Sequence, residues 1–158
     1  MQTTIFNGFE LRAAVAPYTG GGYMHTTDDR TPVTFITRYY LDKIKRLCDA
    51  HGTKLLFVTA PSPVNHTMQR HNEVQALADA LAVPYLDLNL NTEELGIDWN
   101  LDTLDGGDHL NYTGCQKATA YLQRYMQTHY TLPDRRKDAR YETWNKRAAE
   151  FEKLLPQT

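Results

Sequence analysis

From Val33 to His51, apolar residues recur at Ile36, Tyr40, Ile44, Leu47 and Cys48, a spacing that puts one stripe on one face of an α-helix, and Gly52 supplies the stop. Lys54 to Ala60 (KLLFVTA) then runs almost continuously apolar up to Pro61, which predicts a strand covered on both faces. The cycle repeats. Residues 66 to 82 carry Met68, Val74, Leu77, Ala78 and Leu81 at helical spacing, and Val83 to Leu88 forms a second short apolar run that Pro84 limits at its start. An acidic loop from Asn89 to Asp108 leads into a helix from Asn111 to Tyr130, with Ala118, Tyr121, Leu122, Tyr125 and Met126 on one side. Leu132-Pro133-Asp134 breaks it, and a last helix carries Tyr141, Trp144, Ala148 and Phe151.

Residues 1–33 lack any helical period. Thr3 to Phe9 could form a short strand, and Gly20-Gly21-Gly22 with Asp28-Asp29 and Pro32 reads as a long loop, either functional or poorly ordered. Helix, strand, helix, strand, loop, helix is the order of an α/β layered domain with a parallel sheet. Such a sheet needs both faces covered and usually has about four or more strands, so two apolar runs predict further strands in the first thirty residues or an incomplete domain.

The 158 residues, 41% hydrophobic and 11% aromatic, fit one globular domain with a real core. A net charge of −2 argues against a broad phosphate-binding surface, and hence against nucleic acid as a partner. Arg135, Arg136, Lys137 and Arg140 alternate with Asp134, Asp138 and Glu142, as on a solvated helix face. No stretch approaches the roughly 20 apolar residues of a membrane span, no signal-peptide layout occurs at the N-terminus, and no compartment is indicated. Cys48 and Cys115 have no CxxC spacing and read as small apolar residues.

One segment reads as chemistry: Asp105-Gly106-Gly107-Asp108-His109-Leu110-Asn111-Tyr112-Thr113-Gly114, an aspartate-rich turn that ends in a histidine before an amphipathic helix. The only serine, Ser62, stands between Pro61 and Pro63, unlike a glycine-flanked nucleophile elbow. His109 could instead merely help to start the helix, with Asn111 or Asp108 as its cap. His25, His51, His66, His71 and His129 share no metal-ligand spacing and are expected at the surface.

The segment from Tyr39 to Tyr130 resembles the C-terminal half of SGNH (GDSL-like) hydrolases, particularly the bacterial envelope branch of acyltransferases and esterases. The resemblance lies in a strand ending in Ala60-Pro61-Ser62-Pro63, a strand leading into Asp87-Leu88-Asn89, and the turn into His109-Leu110-Asn111 with Gly114 and Lys117; the tail Leu132-Pro133-Asp134-Arg135-Arg136 with Tyr141 and Trp144 is also similar. It implies a three-layer, flavodoxin-like parallel sheet flanked by helices, incomplete in this chain. Residues 1–33 are then an irregular N-terminal segment, 34–132 the C-terminal half of the domain, and 133–158 a helix packed on that domain.

In that family a serine attacks an ester carbonyl, a histidine accepts its proton and an aspartate fixes the imidazole tautomer. Carried over by position, His109 is the base. The family's aspartate stands three residues earlier, which here is Gly106, so Asp105 and Asp108 both remain candidates, with Asp108 in register with His109-Leu110-Asn111. The family's nucleophile and oxyanion blocks match nothing in residues 1–38. Ser62, Asn65 and Asn111 are expected to border the substrate.

The resemblance thus implies a serine ester hydrolase or acyl transferase acting on a small-molecule or carbohydrate ester, an O-acetyl group on a sugar above all, with the Asp/His part of the triad on this chain. No organic cofactor and no metal are expected. The implied partners are a second copy of the chain or a missing N-terminal half. Two alternatives stay open: a non-catalytic glycan- or protein-binding module using Tyr18, Tyr23, Trp99 and Tyr112, and a metal-dependent phosphoesterase using Asp98, Asp102, Asp105, Asp108 and His109.

Overall fold

A computed structural model describes residues 9–155 of the chain. It is a mixed helix and strand protein that divides into two compact units, Ala13–Tyr121 and a second made of the chain up to Arg12 with Leu122–Thr158. The elements are α1 (Phe35–Ala50), β1 (Phe57–Thr59), α2 (Met68–Leu81), β2 (Tyr85–Asp87), α3 (Thr92–Leu95), α4 (Tyr112–His129) and α5 (Glu142–Glu152), with 3-10 turns at Leu88–Asn91 and Ala139–Tyr141. No described helix is long and apolar enough to cross a membrane.

Local chemistry accounts for the helix starts. Thr34 caps α1 by accepting from the Thr37 amide at 3.2 Å, and Thr67 caps α2 by accepting from the Arg70 amide at 3.4 Å. Strands β1 and β2 pair in parallel, with Phe57 opposite Tyr85, Val58 opposite Leu86 and Thr59 opposite Asp87, and α2 forms the crossover between them. The interior of the Ala13–Tyr121 unit is small: Leu77, Ala78, Val83, Leu86, Leu88 and Leu95 are its buried apolar residues.

Much of its buried surface is polar instead, including His66, Glu73, Asp87, Asn89, Asp102, Thr103 and Asn111. No buried side-chain polar atom lacks a hydrogen-bond partner among the described residues, so these groups form completed networks.

Several expectations need correction. The apolar run 54–60 is not covered on both faces: Val58 is 41% exposed and Ala60 is exposed, so one face of β1 lies without a covering layer among the described residues. The stripe on α1 also stays open, with Ile36, Tyr40, Ile44 and Leu47 exposed. The expected strand at Thr3 to Phe9 lies outside the described residues except for Phe9. His66 is buried and His71 half-buried, against the surface placement expected of them, because both turn inward to a single buried carboxylate.

In the second unit, Phe9 meets Phe151 edge-on at 5.4 Å between ring centroids. The charged stretch between α4 and α5 is held locally, as the exposed Asp134 accepts from Arg136 at 2.6 Å and the half-buried Asp138 from Arg140 at 2.7 Å. Such surface pairs contribute little to stability.

Candidate active site

The loop that carries the candidate base is shaped by two glycines. Gly106 has φ of 76° and Gly107 of 100°, a backbone region that side chains strongly disfavour. At Gly107 there is also no room, since a Cβ would sit 2.8 Å from a Tyr18 ring carbon and 2.9 Å from Pro63 Cγ. The Gly106 amide donates to the Ala16 carbonyl at 2.9 Å and the Gly107 amide to Thr103 Oγ1 at 2.6 Å. An antiparallel bridge between Thr103 and Leu110 closes the base of the loop.

This loop brings Asp105 back onto His109. One carboxylate oxygen accepts the His109 amide at 2.7 Å and the other faces Nδ1 at 2.8 Å. Asp108 also faces Nδ1, but at 3.7 Å. The left-handed glycines turn the chain so that Asp105, four residues before His109, makes the closer contact with its ring. The Asp105 hydrogen bond, followed by the charge of Asp108, raises the His109 pKa above the ordinary histidine value. The same hydrogen bond from His109 lowers that of Asp105. His109 is 66% exposed, and its Nε2 makes no hydrogen bond among the described residues, so that atom can take a proton from an incoming group.

Ser62 and Asn65 sit beside this loop and hold it. Ser62 Oγ donates to the Asp108 carbonyl at 2.8 Å and lies 3.3 Å from that of Gly107, so its hydroxyl engages the loop backbone rather than the imidazole. The Asn65 amide donates to Ser62 Oγ at 3.3 Å, and its side-chain amide donates to the Asp108 carboxylate. Asn111 is 2% exposed and caps α4: its Oδ1 accepts from the Gly114 amide at 3.2 Å and lies 2.8 Å from the Thr113 hydroxyl oxygen, while Nδ2 donates to Leu101 O at 2.6 Å. Gly114 packs that first turn against Asp102, where a Cβ would lie 2.4 Å from the Asp102 carbonyl.

The acidic residues of the loop do not converge as one cation site. Asp102 is 1% exposed and accepts from Lys117 Nζ, from Thr113 Oγ1 at 2.8 Å and from the Asp98 amide at 2.7 Å. Burial pushes its pKa up, but the lysine and these hydrogen bonds outweigh that and hold it down. Asp98 accepts from its neighbour Asn100. Two groups do gather donor atoms within 4.8 Å of one another: the exposed Asp105, Asp108 and His109, and the inward-facing His66, His71 and Asp87.

Composition and spacing gave no warning of the second group, because its members are distant in sequence and meet only when β2 lies beside the start of α2. Asp87 Oδ2 receives His66 Nε2 and His71 Nδ1, each at 2.8 Å, and the Tyr85 hydroxyl at 3.1 Å. Its Oδ1 accepts from the Asn89 amide at 2.9 Å and from Asn89 Nδ2 at 2.8 Å. Burial raises the Asp87 pKa, yet the hydrogen bonds from His66 and Asn89 keep it far below the ordinary carboxylate range. Burial also raises the phenols of Tyr85 and Tyr23, with the Asp87 charge adding to both.

Asn89 links this group to the serine turn. Its Nδ2 also donates to the Ala60 carbonyl at 3.0 Å, and its Oδ1 accepts from the Ser62 amide at 2.9 Å and from the Tyr23 hydroxyl at 3.1 Å. Tyr23 and Tyr18 pack edge-on against Trp99, at 5.9 and 6.0 Å, and all three rings are half-buried.

No family model, curated protein or solved structure matches this chain.

Proposed function

We propose that this chain carries the acid–base half of an SGNH-type serine ester hydrolase or acyl transferase, on a three-layer, flavodoxin-like α/β plan. The observation that carries the reading is the doubly held Asp105–His109 pair, with Nδ1 occupied by the carboxylate and Nε2 open to solvent. A base of this kind accepts the proton of an attacking hydroxyl at Nε2 and returns it to the leaving alcohol, while the carboxylate stabilises the imidazolium formed between the two steps. Asp105 is the orienting residue, and Asp108 adds negative charge at greater distance. Ser62, the one serine of the sequence, clamps the loop through backbone carbonyls, so the attacking serine is supplied by another chain. The substrate class is an ester of a small alcohol or carbohydrate, with sugar O-acetyl groups foremost, and this rests on the sequence resemblance.

An exposed, carboxylate-paired imidazole promotes cleavage of activated esters even without a serine. Turnover of p-nitrophenyl acetate is therefore expected from the purified chain, and its loss in His109→Ala. Equal rates in the two proteins would overturn the proposal. Intact-mass analysis after a fluorophosphonate probe separates the nucleophile question: no label is expected, whereas label lost in both Ser62→Ala and His109→Ala would assign the nucleophile to Ser62.

A further inference from the structure

We propose that His66, His71 and Asp87 form a binding site for a first-row divalent transition metal, zinc above all, separate from the Asp105–His109 pair. Asp87 is a crowded acceptor. An ionised carboxylate offers about four lone-pair positions, two on each oxygen. Asp87 faces five donors: the Asn89 amide and Nδ2 on Oδ1, and His66 Nε2, His71 Nδ1 and the Tyr85 hydroxyl on Oδ2. Three of these converge on one oxygen, two of them imidazole nitrogens that must both carry hydrogen to bond there.

A cation removes the excess. With an ion between Oδ2 and the two rings, His66 Nε2 and His71 Nδ1 become lone-pair donors and their protons move to the opposite ring nitrogens. Oδ2 then serves the ion and the Tyr85 hydroxyl, while Oδ1 keeps both bonds from Asn89. That is four interactions for four positions. The outer contacts are of the kind that orient a metal carboxylate: Asn89 fixes one oxygen and thereby aims the other, and the His71 ring is stacked on Tyr85 at 5.5 Å.

The donor set selects the metal. Two imidazoles and one carboxylate suit zinc and its first-row neighbours, whereas calcium and magnesium prefer all-oxygen shells. With bonds of about 2.1 Å, cis donors on an octahedral ion lie about 3.0 Å apart and those on a tetrahedral ion about 3.4 Å apart. The observed 2.8 Å from Oδ2 to each nitrogen lies near the first arrangement, and the second needs the rings to withdraw by about 0.6 Å. The side chains are 7%, 1% and 13% exposed for His66, Asp87 and His71, so the ion would be screened from bulk water with its entry beside His71. Three protein ligands leave at least one position for water or a small anion.

The test is titration of the purified chain with cobalt(II), read by visible d–d absorption, with zinc competition and with proton–nitrogen spectra of the histidine rings. One equivalent is expected to bind, zinc to displace it, and the His66 and His71 ring nitrogens to shift together. His71→Gln and Asp87→Asn, checked by circular dichroism for retained fold, are expected to lose more than the roughly 10–100-fold in affinity that outer contacts alone are worth. His109→Ala is expected to bind as the wild type does. Absence of a stoichiometric cobalt spectrum from the wild-type chain would overturn the proposal, as would binding that His109→Ala abolishes and His71→Gln leaves intact. Neither result bears on the ester-cleavage reading, which is measured on metal-free protein.

Discussion

Asp105 grips His109 at two points, taking its backbone amide at 2.7 Å with one oxygen and its Nδ1 at 2.8 Å with the other. The carboxylate therefore sets both the path of the chain and the tautomer of the ring, leaving Nε2 as the atom that exchanges protons with solvent.

The first prediction follows from that contact. The His109 pKa is raised and the Asp105 pKa lowered, so the pair is fully charged between those two values. For His109, the stabilisation is complete below the unfolded-state pKa and is lost as pH rises through the higher folded-state value; for Asp105, it is present above the unfolded value and is lost as pH falls through the lower folded one. A ring-proton titration of His109 is expected to give a midpoint above the ordinary histidine value of about 6.5. Asp105→Asn should bring it down, Asp108→Asn should bring it down less, and the acidic limb of ester turnover, where the protonated imidazole can no longer act as base, should move with it. An unchanged midpoint in Asp105→Asn would contradict the assignment of the orienting residue.

Gly107 gives the second. Replacing it with alanine adds a Cβ against Tyr18 and Pro63 and forces a side chain into positive φ, while alanine at Gly106 meets no atom within 4 Å and bears the backbone penalty alone. Gly106→Ala is expected to cost about 1–2 kcal/mol by urea unfolding. Gly107→Ala should cost more and should weaken the imidazole shift as well, because the loop must move to make space. Equal costs for the two would show that the Tyr18 and Pro63 contacts yield freely.

How far the sequence foretold this arrangement depends on the range of the interactions. Helices α1, α2 and α4 follow local periodicity and threonine or asparagine capping, which the chain displays within a few residues. The Asp105–His109 contact was legible as one of two choices, and only the φ values of Gly106 and Gly107 decide it, since a positive-φ turn changes which carboxylate reaches the ring. The exposure within the strand run at 54–60 is not legible in its sequence, because apolar content reports a tendency to be covered and not the presence of a cover. His66 and His71 looked like scattered surface residues because their partner, Asp87, lies 16 or more positions away and on another element.

The third prediction concerns acid. Asp87 and Asp102 both have lowered pKa values, so each contributes stability above the unfolded carboxylate pKa that disappears as pH falls through the folded value. Urea stability of the metal-free chain is expected to fall steadily as pH drops below about 4, the usual carboxylate range. Asp102→Asn should flatten that dependence while lowering stability at neutral pH, because Lys117 then loses its counter-charge and the buried amide presents hydrogens where only acceptors served. A slope unchanged by the substitution would mean that the Asp102 contacts persist in the unfolded chain.

Asn89 provides the sharpest test of how the two clusters are joined. Its side chain makes four hydrogen bonds, to Asp87 Oδ1 and the Ala60 carbonyl as donor and from the Ser62 amide and Tyr23 hydroxyl as acceptor, which is the full capacity of an amide. Asn89→Ala strands those partners in a buried setting and is expected to cost about 2–4 kcal/mol. Asn89→Asp retains the acceptors but places a second carboxylate against Asp87, so it should destabilise most at neutral pH and recover as acid protonates it. The serine turn should loosen in both variants, since the Ser62 amide has lost its anchor in the first and faces a repelled side chain in the second. Faster hydrogen exchange at Ser62 and Val64, whose amides face Asn89 and the Gly107 carbonyl respectively, is the expected signature. Protection at both amides equal to that of the wild type would show that Asn89 fills space between the two clusters without coupling them.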